Sequence, residues 1–239
     1  MKLARFSRDG IVSLGKVTGD RVVDLSSTLN GVASMRTLLA RLPELRPALE
    51  KAQGEDYPLA QVVLEAPIDD PQKFLAIGMN YEDHAREAEA AGVARPKHQL
   101  WFNKQVSCIN GPYATIDLPK VSDRLDYEAE LGVVIGQRCR HVSRESARDV
   151  IVGYLVVNDV SVRDWQAQSP TFTLGKSFDT HGPIGPWITT ADEIQDPMNL
   201  HMRLTVNGAM RQQACTRDMI YSIYEQIAHL STVMTLEPG

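Results

Sequence analysis

The chain of 239 residues lacks the long apolar runs that mark membrane and exported proteins. Its longest apolar stretches, such as residues 151–157, are far shorter than the ~20 residues that cross a bilayer. No apolar leader follows Lys2 and Arg5 at the start of the chain. We therefore expect a protein that is neither exported nor bound to a membrane.

Paired cysteines and an excess of basic residues are also missing. The three cysteines, Cys108, Cys139 and Cys215, are widely spaced and form no CxxC pair, which disfavours a disulfide framework and a zinc ribbon and favours a reducing, cytoplasmic setting. Lys and Arg number 25 against 30 Asp and Glu, so the formal net charge is −5. Nucleic acid is therefore not an expected partner.

What is present is the composition of a globular chain, with 43% apolar and 23% charged residues. The first part of the chain predicts a three-stranded meander, followed by leucines at helical spacing over 34–52 that Pro43 and Pro47 divide into two short helices. The polar, proline-containing stretch 67–71 suits a linker. We expect a small N-terminal β-rich domain over 1–67 and a larger domain over 68–239.

The larger part of the chain predicts many strands and few helices, so we expect an α+β fold. One mostly polar helix is predicted over 81–91, with Asn80 as its cap, and it has the character of a mobile lid. Two further helices are predicted over 143–150 and over 216–231, the latter capped by Thr216. The predicted strands cover 73–77, 100–104, 128–135, 151–157, 184–188, 201–206 and 210–214.

An acidic strand gives the clearest chemical signal. Side chains alternate along a strand, so Asp126, Glu128 and Glu130 are predicted to share one face, while Tyr127, Ala129, Leu131, Val133 and Ile135 share the apolar one. Carboxylates two residues apart lie about 7 Å from each other, close enough to hold one hard divalent cation such as Mg²⁺, Mn²⁺ or Ca²⁺. The alternative is a solvated face of an edge strand.

Two further residues could complete such a site. Asp159 directly follows the apolar run 151–157 and Asn158, where a rigid strand would fix a ligand; its alternative role is a turn or helix cap. Lys176 follows Gly175 in a loop rich in glycine and proline, and it could present its ammonium group to an oxyanion or a substrate carboxylate. Pro170 stands where a phosphate-binding loop requires glycine, so phosphate binding is not supported.

A possible general base lies on the predicted lid helix. His84 and Glu87 are three residues apart and share a helix face, so the carboxylate could orient the imidazole to activate water. An ordinary surface pair is the alternative interpretation.

Seven short motifs follow one another along the larger part of the chain: Ile77–Tyr81 with His84 and Glu87, Phe102–Lys104, Asn110–Pro112, Asp126–Leu131, Asn158–Asp164, Gly175–Thr180 and Gly182–Pro186. Together they make the chain similar to the fumarylacetoacetate hydrolase family. The resemblance implies a mixed β-roll with few helices that dimerises, binds Mg²⁺ or Mn²⁺, and cleaves or decarboxylates 2-oxo acids. It matches Glu128, Glu130 and Asp159 to metal ligands, His84 and Glu87 to a water-activating dyad, and Lys176 to a substrate-binding lysine.

The chain also departs from the family. Gln105 stands where proline is common, and His181 stands where an aromatic residue is common. The family continues past a Glu-Pro-Gly like 237–239 into a Gly-Thr-Pro loop, so we expect the larger domain to be incomplete at its C-terminus.

We expect a cytoplasmic, homodimeric catabolic hydrolase that acts on an acylpyruvate or fumarylacetoacetate-like substrate bearing a 1,3-dicarbonyl. One alternative is an oxaloacetate-type decarboxylase or an unsaturated dioate isomerase that uses the same metal site. Another is a non-catalytic binding protein on this scaffold.

Overall fold

The computed structural model describes all 239 residues and contains fifteen strands and five α-helices. The strands are β1 (Lys2–Arg8), β2 (Ile11–Thr18), β3 (Arg21–Asp24), β4 (Asp56–Pro58), β5 (Val63–Glu65), β6 (Phe74–Gly78), β7 (Leu100–Lys104), β8 (Ile109–Asn110), β9 (Leu125–Asp126), β10 (Ala129–Ile135), β11 (Ile151–Asn158), β12 (Ser161–Val162), β13 (Gly182–Thr190), β14 (His201–Val206) and β15 (Ala209–Cys215). The helices are α1 (Met35–Ala40), α2 (Leu42–Lys51), α3 (Glu82–Ala90), α4 (Arg163–Gln166) and α5 (Ile223–Val233).

A nine-stranded sheet forms the centre of the molecule. Its main path runs β10-β11-β13-β1-β2-β3-β4, with β5 paired to β1 and β8 paired to β13. All pairs are antiparallel except β8 with β13. Three two-stranded ribbons, β6–β7, β9–β12 and β14–β15, lie outside this sheet. The predicted mixed α+β fold with few helices is confirmed.

Strands from both sides of residue 68 share the central sheet. The meander β1–β3 forms as predicted, and β1 pairs with β13 through Lys2 with Thr189 and Leu3 with Ile188. The main core joins leucines of α1 and α2 to apolar side chains of β11 and β13. The division into domains 1–67 and 68–239 stays a prediction, and we note that the two parts have a common sheet and a common core.

The leucine-rich stretch gives two short helices, as predicted. Pro43 does not interrupt the second helix, because it lies in the first turn of α2, where a backbone N–H has no partner to lose. Pro47 lies inside α2. None of the five helices combines the length and the apolar character that a membrane span requires.

Two predictions about helices are wrong in detail. Residues 143–150 form no α-helix, only a short 3₁₀ turn over Ala147–Val150. The last helix begins at Ile223 and is capped by Ser222, whose hydroxyl accepts from the Glu225 amide while Glu225 bonds back to Ser222. Thr216, the predicted cap, is buried and accepts a hydrogen bond from the amide of Leu200.

Helix α3 forms close to where it was predicted, but Asn80 does not cap it. The N-cap residue is Tyr81, which makes no side-chain cap bond. The Asn80 side chain bonds instead to the backbone of Tyr221, donating from Nδ2 at 3.0 Å and accepting at Oδ1 at 2.9 Å. Ala85 is the one fully buried residue of α3.

Candidate metal centre and active site

Two paired strands bring the three predicted carboxylates to one end of the central sheet. Strand β10 pairs antiparallel with β11, with Ala129 opposite Asn158 and Glu130 opposite Val157. Glu128 stands just before β10, and its carbonyl accepts from the Asp159 amide at 2.8 Å. Each carboxylate is therefore attached to backbone that the sheet holds in place.

Alternation predicted one continuous strand through the acidic segment, and the structure shows that this segment is interrupted. Strand β9 ends at Asp126 and pairs with β12, and β10 starts only at Ala129. Beyond that break the apolar side is as predicted, because Leu131, Val133 and Ile135 pack on the core beneath α5.

Three cationic side chains surround these carboxylates. Lys176 Nζ donates to Glu128 Oε2 at 2.5 Å and to Asp159 Oδ2 at 2.7 Å. Lys104 Nζ lies 2.8 Å from Asp159 Oδ1, an ion pair that is not a well-directed hydrogen bond. Arg163 Nη2 lies 2.5 Å from Glu128 Oε1 and 2.7 Å from Asp126 Oδ2. Burial acts to raise the pKa of Asp159, but the two lysines outweigh it and hold that pKa below its usual value.

Glu130 has no such partner. Its carboxylate forms no hydrogen bond or ion pair with the protein, and it faces the same cavity as Glu128 and Asp159. Burial raises the pKa of Glu130 to about 8, and the negative charges of Glu128 and Asp159 add to this rise. This corner of the site is therefore short of positive charge.

The donor set suits a hard divalent cation, because all three side chains offer carboxylate oxygens. In the present arrangement, however, no three His, Cys, Asp or Glu side chains are placed to hold one ion together. The Lys176 ammonium group stands between Glu128 and Asp159, where such an ion would compete with it. The residues fit a metal by their chemistry, and the Lys176 side chain has to move for all three oxygens to converge.

The predicted dyad is not joined in this structure. His84 and Glu87 are both exposed on α3, and no hydrogen bond connects them. His84 lines the cavity, whereas Glu87 does not. The role of the pair therefore stays a prediction.

The cavity itself has a volume of about 460 Å³ and joins the charged corner to an apolar wall. The Lys176 ammonium group lies 4.9 Å from the centre of the Phe102 ring, which forms part of that wall. The polar lining includes Lys104, Glu128, Glu130, Asp159, Lys176 and His84, and the apolar lining includes Ile77, Trp101, Phe102 and Ile227. A small acid with a charged head and an apolar body suits such a space.

Sequence reasoning missed the roles of Lys104 and Arg163. Lys104 is only 1% exposed and also donates to the carbonyls of Val160, at 3.2 Å, and Lys176. One signal was available, because Lys104 shares a strand face with Phe102 and should therefore point inward. Arg163 lies on α4, which follows directly on β12 after Asp159, and nothing in its spacing indicated a carboxylate partner.

Known proteins resemble this chain in sequence and in fold. Residues 73–239 match the family model described as fumarylacetoacetate (FAA) hydrolase, C-terminal. A relative from Burkholderia lata, whose name states a hydrolase without a substrate, is 42% identical over 245 residues, covering all of this chain and 84% of that protein.

Two solved structures resemble the chain over its whole length. The maleylpyruvate hydrolase of Sphingobium sp. SYK-6, in complex with Mn²⁺ and pyruvate, is 37% identical with a TM-score of 0.85, covering 100% of this chain and 86% of that one. The 5-carboxymethyl-2-hydroxymuconate delta-isomerase of Mycobacterium smegmatis is 33% identical with a TM-score of 0.79, covering 100% of this chain and 84% of that one.

Proposed function

This chain belongs to the fumarylacetoacetate hydrolase family, and we propose that it is a divalent-metal-dependent enzyme that hydrolyses a C–C bond in a 2-oxo acid bearing a 1,3-dicarbonyl. An acylpyruvate or a fumarylacetoacetate-like acid is the substrate class. One observation carries the proposal: Glu128, Glu130 and Asp159 line the same cavity as Lys176, and Glu130 there has no cationic partner. The family match supports it, as does the similarity to the Sphingobium hydrolase, whose structure is in complex with Mn²⁺ and pyruvate.

Glu128, Glu130 and Asp159 would hold the cation, Mn²⁺ or Mg²⁺. When bound, such a cation supplies positive charge that stabilises the electron pair released from the breaking bond. Lys176 Nζ, which reaches both Glu128 and Asp159, is close enough to turn toward the carboxylate of an incoming substrate. Lys104 would remain on Asp159 and keep that side chain ionised and in place.

His84 would act on the water molecule. Its ring lines the cavity from α3, so a shift of that helix toward the carboxylates would bring the ring close to the substrate. The imidazole takes a proton from water, the water oxygen bonds to the distal carbonyl carbon, and the C–C bond breaks. The electron pair passes to the 2-oxo acid fragment as an enolate, which then takes a proton on carbon. Glu87 would orient the ring and stabilise its positive charge.

A second reaction class remains open, because the M. smegmatis relative is an isomerase. Isomerisation or decarboxylation needs the carboxylates and Lys176 but no activated water. No hydrogen bond joins His84 to Glu87 in this structure, and this observation favours a reaction that needs no paired base. A non-catalytic binding function is the least favoured hypothesis, because the carboxylates, Lys176 and His84 all line one cavity, as a catalytic site requires.

The metal assignment is tested by Mn²⁺ binding, measured from the EPR signal of the free ion. Glu130→Gln should weaken binding by at least about tenfold, since it removes a carboxylate ligand. Glu50→Gln, an exposed carboxylate on α2, is the matched control and should bind like the wild type. Equal binding by wild type and the Glu130 variant would contradict the assignment.

The reaction class is tested by comparing His84→Ala on an acylpyruvate and on oxaloacetate. Loss of a general base should slow hydrolysis by roughly 10²-fold or more and leave decarboxylation largely unchanged. His98→Ala, a change at an exposed histidine outside α3, is the control. Normal hydrolysis by the His84 variant would remove the dyad from the mechanism.

We also propose that the chain forms a homodimer and works in the cytoplasm. The family resemblance supports the dimer, and three free cysteines support a reducing compartment. Sedimentation of the purified chain tests the first.

A further inference from the structure

A glutamine from a separate hairpin is bonded to the backbone between two of the proposed metal ligands. Gln212 lies on β15, and its Oε1 accepts from the Ala129 amide at 2.8 Å while its Nε2 donates to the Ala129 carbonyl at 2.8 Å. Two such bonds reproduce what a neighbouring strand would provide. The side chain therefore closes the outer edge of β10 at this one residue.

The position of this contact follows from strand alternation. In an antiparallel pair, successive residues direct their backbone groups to opposite sides. Glu128 faces β11, since its amide donates to Asn158 Oδ1 at 3.1 Å and its carbonyl accepts from Asp159. Ala129 therefore faces away from β11, and β10 is the edge strand of the sheet. Without Gln212 the buried Ala129 would have an unpaired donor and acceptor, which costs free energy.

The two peptide groups that Gln212 holds are those that join Ala129 to Glu128 and to Glu130. Fixing both peptide groups fixes the direction in which each carboxylate leaves the backbone. Glu130 gains most from this, because no protein group bonds to its own carboxylate. Gln213, the next residue, is exposed and makes no side-chain hydrogen bond. Only Gln212, of these two glutamines, therefore bonds to the Ala129 backbone.

We propose that Gln212 is a positioning residue that sets the spacing of Glu128 and Glu130 for metal binding. The inference rests on the proposed metal site. It predicts that the β14–β15 hairpin, which contributes no residue to the cavity lining, nevertheless controls the affinity of the site for its ion. Backbone partners of metal ligands act in this way when they restrict the ligand to its productive orientation.

The test uses the full chain with Gln212→Ala and Gln212→Met, the second of which keeps the side-chain volume but cannot form the two bonds. Gln213→Ala is the matched control. Two quantities are measured: the dissociation constant for Mn²⁺ from EPR, and the hydrogen-exchange rate of the Ala129 amide by NMR in metal-free protein. Both Gln212 variants should bind Mn²⁺ roughly tenfold more weakly and exchange the Ala129 amide faster. The control should match the wild type in both.

Binding of Mn²⁺ by Gln212→Met with an unchanged dissociation constant would overturn the inference, as would an unchanged exchange rate at Ala129. Failure of the metal assignment shows elsewhere, in a wild type that binds no Mn²⁺ or a Glu130→Gln variant that binds it normally. The two failures are therefore distinguishable.

Discussion

The carboxylate centre and helix α3 supply the two halves of the proposed site, and they are built in opposite ways. In the centre, Lys104, Lys176 and Asp159 are 1%, 2% and 4% exposed, and each is bonded to partners from other elements. Helix α3 has one buried residue, and its charged side chains pair at the surface, as Arg86 does with Asp83. Surface pairs of this kind add little stability.

This difference in burial matches the two roles, because metal ligands need a fixed geometry whereas a base on a lid helix needs to move toward the substrate. Buried charges must stay paired, because an isolated one has lost its hydration. Asp159 is therefore held in place by Lys104 and Lys176, and only the Lys176 side chain has to move when an ion binds. The His84 ring, by contrast, lies on a helix that few apolar contacts hold down, so this half of the site can shift at low cost.

The largest effect is expected from Lys104→Met. The change leaves Asp159 buried with one cation fewer and removes the donor that the carbonyls of Val160 and Lys176 now share. Removing one member of a buried ion pair costs about 3–5 kcal/mol. The free energy of unfolding, measured in urea, should fall by that amount, whereas the exposed control Lys97→Met should leave it unchanged. Unaltered stability of the Lys104 variant would mean that the centre is not held together by its charges.

The second prediction concerns pH in metal-free protein. Burial raises the pKa of Glu130 to about 8 from an ordinary 4.5, so the folded state binds a proton that the unfolded state has released between these values. The corresponding stability is fully present below about pH 4.5 and is lost as pH rises through about 8. We expect a loss on the order of 2 kcal/mol between pH 5 and 8, which is less than the full shift would give because Glu130 lines a cavity and not a closed core.

Urea unfolding in EDTA at several pH values measures this loss. Glu130→Gln should remove it, and Mn²⁺ should restore stability to the wild type at high pH by binding the folded state. A pH dependence that is the same in both proteins would assign the effect to other groups.

Much of the centre could be predicted from sequence, because its signals are local. Alternation indicated that Glu128 and Glu130 lie together, although the strand that it implied is broken before Ala129. The end of an apolar run indicated Asp159, and a glycine-rich loop indicated Lys176. The groups that partner these residues come from distant elements. Lys104 lies on β7, and Gln212 lies on the β14–β15 hairpin. The position of that hairpin against β10 depends on tertiary packing, which no local sequence pattern encodes.

The errors have the same origin. Asn80 and Thr216 were both predicted as helix caps, because a polar residue before a helical pattern is usually one. Each bonds instead to backbone elsewhere: Thr216 to Leu200, and Asn80 to Tyr221, which is 141 residues away. A rule about neighbours in sequence cannot anticipate such partners. A buried backbone group that is brought close by tertiary structure can form a hydrogen bond with such a side chain, which then does not cap the helix.

The smallest effect, and the sharpest test of the comparison, is expected from Asn80→Ala. Asn80 is 4% exposed and links the start of α3 to Tyr221 through two hydrogen bonds. Their loss should lower the free energy of unfolding by about 1–2 kcal/mol and increase hydrogen exchange across α3. If the two halves are independent, the dissociation constant for Mn²⁺ should not change, while hydrolysis slows because His84 is less well positioned. The exposed Asn30→Ala is the control. Weaker Mn²⁺ binding in the Asn80 variant would show that α3 and the carboxylate centre are one mechanical unit after all.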